Sequence, residues 1–199
     1  MSSVQASAPT ATFSTTDSSL KGRTIWNVRP MPARHIWSGR TFQIVRPFNE
    51  LSVVENVAVG ALAWTDDMAA ARRYALDVLD LLGLADKRNA LPGAITLPDR
   101  KCLEVARALA TKPKLLLLDE VMAGLRATET DRMVAIFRKL NAETGLTILL
   151  IEHVMRAVMA LSEQVVVLHH GEVIAHGTPD SVVRDPAVLE CYLGEEAVA

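Results

Sequence analysis

Between residues 53 and 110 apolar side chains recur every three or four positions, and from residue 115 the recurrence gives way to short, unbroken apolar runs. The first pattern is that of amphipathic helices and the second that of strands buried on both faces. Ser52 followed by Glu55 forms a capping box before the helix "VVENVAVGAL". Thr65 is placed to cap "DDMAAARRYALDVLDLLG", which Gly83 ends. Pro98 is expected as the first helical residue of "PDRKCLEVARALATK", which Pro113 stops. The strand "KLLLLD" comes next, then a helix "ETDRMVAIFRKLNAETG" capped by Thr128 and ended by Gly145. "LTILLIE" is a second buried strand, followed by the short helix "VMRAVMALS" and a hairpin, "QVVVLHHGEVIAHG", turning at His170 and Gly171. Thr178 and Pro179 open a last helix before the tail "DPAVLECYLGEE".

Strand, helix and strand alternating from residue 114 onward is the pattern of an α/β core with a mostly parallel sheet. Residues 51–113 carry helices without strands, so they are expected to form a helical layer inserted into that core. Residues 1 to about 20, "MSSVQASAPTATFSTTDSSL", hold almost no large apolar side chains. They cannot bury enough surface to offset the entropy of ordering and are expected to be disordered.

Composition narrows the class of protein. Half of the 199 residues are hydrophobic, which suits a globular domain. The net charge of −2, with cations and anions interspersed, gives no attraction for nucleic acid. The longest apolar stretch, "LTILLI", is far short of the roughly 20 residues that cross a bilayer. Two cysteines, Cys102 and Cys191, lie far apart without metal-ligand spacing, which fits a reducing compartment, and both are expected as surface or tail thiols.

Polar residues follow two of the buried strands: Asp119 and Glu120 after "LLLL", and Glu152 and His153 after "LTILLI". In open α/β sheets ligands sit beyond the carboxyl ends of the strands. Asp119 could hold magnesium there, Glu120 could orient or deprotonate an attacking water, and His153 could contact a terminal phosphate. The plain alternative is that an acidic residue merely ends a buried strand.

Taken with their neighbours, these segments carry a resemblance. From about Gly39 to Glu195 the chain resembles the ATP-binding subunits of ABC transporters, most closely those of the branched-chain amino acid uptake group. "GRTFQIVRPFNELSVVENV" looks like that group's Q-loop region, "LLLLDE" like Walker B plus the catalytic glutamate, and "LLIEHVMRAVMAL" like the switch region. The resemblance implies an incomplete P-loop NTPase core, with residues 39–199 a partial nucleotide-binding domain after an unrelated or disordered segment 1–38. Within it, 51–113 would be the helical subdomain, 114–177 the Walker B and switch core, and 178–199 a C-terminal extension. It further implies ATP and Mg2+ as cofactors, with Asp119 and Gln43 at the metal and Glu120, His153 and Gln43 in catalysis. Integral-membrane permease subunits would be partners, together with a second copy or an ATPase paralogue as the other half of a dimer. The location implied is cytoplasmic, peripheral on the inner face of the membrane.

Two departures stand out. "ITLPD" (95–99) occupies the place of the family's signature "LSGGQ"; Thr96 keeps a hydroxyl in the place of the serine, which the resemblance implies would face nucleotide, but Pro98 brings no N–H. No G-x-x-x-x-G-K-S/T occurs anywhere in the 199 residues, so the loop whose N–H groups and lysine cradle the phosphates is not among them. The resemblance places the strand before that loop inside the sheet, beside the strand leading to His153. "LTILLI" and "VVVLHH" are therefore expected to face a gap that "TIWNV" (24–28) could partly fill. A truncated motor subunit unable to hydrolyse ATP alone is the expected function. The alternatives are a non-catalytic module docking on a permease or an intact paralogue, and a non-functional gene fragment.

Overall fold

The computed structural model describes residues 10–14, 38–41 and 46–193. Six strands form one sheet in the order β2-β3-β4-β1-β5-β6. They are β1 (Thr10–Ser14), β2 (Ser38–Arg40), β3 (Leu115–Asp119), β4 (Thr147–Glu152), β5 (Val165–His169) and β6 (Glu172–Gly177). β2, β3 and β4 run parallel, and β5 shares their direction because β1 pairs antiparallel with both β4 and β5. The mostly parallel α/β sheet expected from the apolar runs is present.

The expected gap is closed, and by a different segment from the one suggested. β1 lies between β4 and β5, with Thr12 opposite Ile151 on one side and Val166 on the other. Residues 10–14 thus belong to the sheet instead of a disordered tail. The physical reason is edge satisfaction: two buried strands with open backbone groups will accept any extended segment that completes their ladders. "TIWNV" (24–28) lies outside the described residues.

Among the described residues, three α-helices precede β3: α1 (Val53–Ala61), α2 (Met68–Leu81) and α3 (Leu97–Leu109). Their apolar stripes meet in one core with the inner side of β3 and β4. α1 contributes Val53, Val54, Val57, Ala58 and Ala61, all buried. Gly60 lets α1 approach α3: a Cβ there would lie 2.5 Å from the Arg107 carbonyl oxygen. The capping box of Ser52 and Glu55 forms as expected. Cys102, expected at a helix surface, is instead buried beside Met133, and burial pushes its thiol up to about 11.

Three helix starts differ from expectation by one or two residues. Asp67, not Thr65, caps α2 by accepting the Ala69 N–H, while the Thr65 hydroxyl accepts the Asp67 N–H and sets up the turn. Thr96 caps α3, leaving Pro98 as its second residue after Leu97. α4 (Ala127–Thr144) begins after Arg126, whose N–H and guanidinium both bond Glu129. The stops hold as expected. At Gly83 (φ +69°) the Leu84 N–H reaches the Leu79 carbonyl and the Gly83 N–H the Asp80 carbonyl, and α4 ends at Gly145 (φ +61°).

α5 (Met155–Leu161) follows β4, the β5–β6 hairpin turns through His170 and Gly171, and α6 (Pro179–Val182) and α7 (Pro186–Leu193) pack against it. Among the described residues no helix is long and apolar enough to cross a membrane.

Candidate functional site

Parallel pairing of β3 with β4, Asp119 opposite Ile151, brings both strand ends to one rim of the sheet. Asp119 ends β3 with its side chain about one quarter exposed. Its N–H donates to the Thr41 hydroxyl at 3.2 Å, and its Oδ2 receives the Arg40 guanidinium at 3.1 Å. Glu120 follows in the left-handed region at φ +47°, its N–H donating to the Ile151 carbonyl at 2.9 Å. For a residue with a Cβ that conformation costs on the order of 1 kcal/mol, so neighbouring bonds must hold it. His153 follows β4, exposed, with Nδ1 3.9 Å from Glu120 Oε1. The two strand-end segments singled out in the sequence therefore come together.

Glu152 is the last residue of β4 and fully buried. Its Oε1 accepts the Met122 N–H at 2.7 Å, and its Oε2 has no hydrogen-bond partner among the described residues. Burial raises its carboxyl above the usual range, against the pull of the Met122 N–H and of nearby His153 and Lys101. Lys101, buried on the inner face of α3, donates to the Glu120 carbonyl at 3.2 Å. Loss of hydration lowers its ammonium, opposed by the charges of Glu152 and Glu120.

Thr96 stands at the N-terminus of α3. Its hydroxyl accepts the Asp99 N–H and donates to Asp99 Oδ2 at 2.5 Å, so a bond from Thr96 to a phosphate requires that donation to break. Asp99 is buried and also takes Lys87 Nζ at 2.6 Å, with Arg132 3.7 Å from its other oxygen. Burial alone would raise its carboxyl. The hydrogen bonds from Lys87 and Thr96 and the charges of Lys87 and Arg132 outweigh burial and hold it below the usual range. Gln43 lies outside the described residues; the chain after it is anchored by Asn56, whose amide bonds both Phe48 N–H and Phe48 C=O, and by Glu104, which accepts the Arg46 N–H.

Asp119 and Glu120 are hard oxygen donors, as Mg2+ requires, and Mg2+ is commonly held by one or two carboxylates plus nucleotide phosphates. Among the described residues no group of three or more His, Cys, Asp or Glu is placed to hold a metal by itself. The donor set thus suits an ion that arrives with phosphates better than a resident one. Arg40, Asp99 and Lys101 were missed from sequence, and Glu152 was noted only as a polar residue at a strand end; one signal was readable, since strand parity sets Glu152 on the buried side with Ile148 and Leu150.

Residues 12–123 match the family model described as ABC transporter, and residues 172–198 match that of the branched-chain amino acid ATP-binding cassette transporter. The chain belongs to the ABC transporter family, as an α/β ATP-binding cassette. Within it, the chain is 39% identical over 171 residues to the high-affinity branched-chain amino acid transport ATP-binding protein BraF of Pseudomonas aeruginosa, spanning 78% of this chain and 67% of that protein. The corresponding LivG protein of Escherichia coli K12 is 36% identical over the same shares. Among solved structures, the ADP conformation of MJ1267, an ATP-binding cassette of an ABC transporter, superposes with a TM-score of 0.69 at 28% identity, covering 81% of this chain and 70% of that one. The dimeric structure of MJ0796, a bacterial ABC transporter cassette, gives 0.64 at 25% identity, covering 73% and 64%.

Proposed function

We propose that this chain is the ATP-binding subunit of an importer for branched-chain amino acids, and that it supplies the carboxylate and histidine side of the nucleotide site. The observation that carries the reading is the meeting of Asp119, Glu120 and His153 at one sheet rim, with Glu120 and His153 3.9 Å apart. Asp119 would hold Mg2+, which when bound neutralises phosphate charge. Glu120 orients and deprotonates the attacking water, and His153 donates to the terminal phosphate. Gln43 is assigned to the metal and the γ-phosphate, and Thr96 to nucleotide held by a second subunit. The substrate class is supported by the names of the similar proteins and by the match at residues 172–198.

Permease subunits at the inner face of the membrane are the assigned partners, met by the helices of 51–113, where Val59, Leu62 and Met68 are exposed. The second cassette is another copy or a paralogue. The 199 residues contain no G-x-x-x-x-G-K-S/T, and positioning and charge neutralisation dominate phosphoryl transfer. Hydrolysis by this polypeptide alone is therefore excluded from the proposal. Purified chain should show no Mg2+-dependent ATP turnover above the blank. Turnover that falls at least about 100-fold in Glu120→Gln would overturn the exclusion while supporting Glu120 as the base.

A second reading is favoured by the Arg40–Asp119 ion pair, which places a cation on the oxygen a metal would use. In that reading the chain is a non-catalytic module. Capture of a permease without nucleotide binding would select it.

A further inference from the structure

Two buried charged side chains at the rim have no part in the reaction described above. Lys101 is 6% exposed and Glu152 not at all, and they approach the turn after β3 from different elements. Lys101 reaches from α3 to the Glu120 carbonyl oxygen at 3.2 Å, and Glu152 reaches from the end of β4 to the Met122 N–H at 2.7 Å. Val121 and Met122 are buried in the core, so this turn sends two apolar side chains inward while Glu120 faces the rim.

Burying an ammonium and a carboxylate is expensive, and replacing such charges by hydrocarbon is often neutral or stabilising. Their presence calls for a bonding role that hydrocarbon could not fill. The backbone of residues 120–122 supplies it, because Glu120 at φ +47° needs partners on both sides to stay there.

We infer that Lys101 and Glu152 are positioning residues that clamp the turn 120–122, holding the Glu120 carboxylate beside His153 and tying it to the first turns of α3. The inference rests on the reading of Glu120 as the base. Thr96 caps α3, so a shift of its first turn is passed through Lys101 to the Glu120 backbone.

The test is residue-resolved amide hydrogen exchange of the full chain. In Lys101→Met, the Glu120 and Met122 amides should exchange at least about tenfold faster, while Leu116–Leu118 in β3 keep their protection. Lys101→Arg, which can still donate to the carbonyl, should retain most of the protection. Unchanged exchange at 120–122 overturns the inference, as does uniform acceleration through β3 and α3, which marks a purely global role. Should Lys101→Met fail to fold because Glu152 is left without its countercharge, Lys101→Met with Glu152→Leu removes both charges. The double variant should fold and exchange fast only at 120–122; its failure to fold assigns the pair to global stability and overturns the clamp. Because exchange is read without nucleotide, a chain that shows the clamp but never hydrolyses ATP, alone or with an intact cassette, refutes the base assignment and leaves the geometry standing.

Discussion

Asp99 keeps its charge inside the protein with 1% of its side chain exposed, because three neighbours compensate it. Thr96 and Lys87 bond it directly, Arg132 adds a more distant positive charge, and its place in the first turn of α3 sets it against the positive end of the helix. Asp99→Asn keeps the shape and removes the charge, and should cost about 2 kcal/mol at neutral pH in a urea titration. The sign of the pH dependence follows from a carboxyl held low in the folded chain. The contribution is fully present above the unfolded value near pH 4, and is lost as pH falls through the lower folded value. The gap between wild type and variant should therefore narrow as the solution is acidified below about pH 4.

The elements follow rules that the sequence displays at their ends more openly than at their insides. Capping at Ser52 and stopping at Gly83 and Gly145 were legible because each depends on local bonds among a few adjacent residues. The expected start of α2 is two residues early and that of α4 two residues late, since Thr65 and Asp67, like Arg126 and Thr128, are both residues that can bond locally at a helix start. Asp119, Glu120 and His153 were legible from their place after apolar runs, whereas nothing local marks Lys101, because its partner is a backbone carbonyl nineteen residues away. Asn56 shows how an element carries a loop. Within α1 and fully buried, it bonds Phe48 on both sides and the carbonyls of Leu51 and Ser52. Asn56→Ala should cost about 3 kcal/mol or more in chemical denaturation, because several backbone groups lose their partner together.

For the molecule as a whole, the sheet depends on β1, which lies in the segment expected to be disordered. β1 connects β4 to the β5–β6 hairpin, and without it the chain would divide into two separate sheets. Thr12→Pro should break one ladder bond in that interior strand and lower the thermal midpoint by at least about 5 °C, on the order of 2 kcal/mol for a chain of this size. No change in midpoint would mean that the sheet does not rely on this pairing. The polarity of β1 bears on how the protein could be re-engineered. Ala11 lies against Glu152 and Ser14 against Leu149, so the chain enters β1 at the rim of Glu120 and His153 and leaves toward the opposite one. A phosphate-binding loop grafted after Ser14 would open away from the carboxylates. A graft meant to give this chain its own nucleotide grip has to precede Thr10, or else turn the strand around.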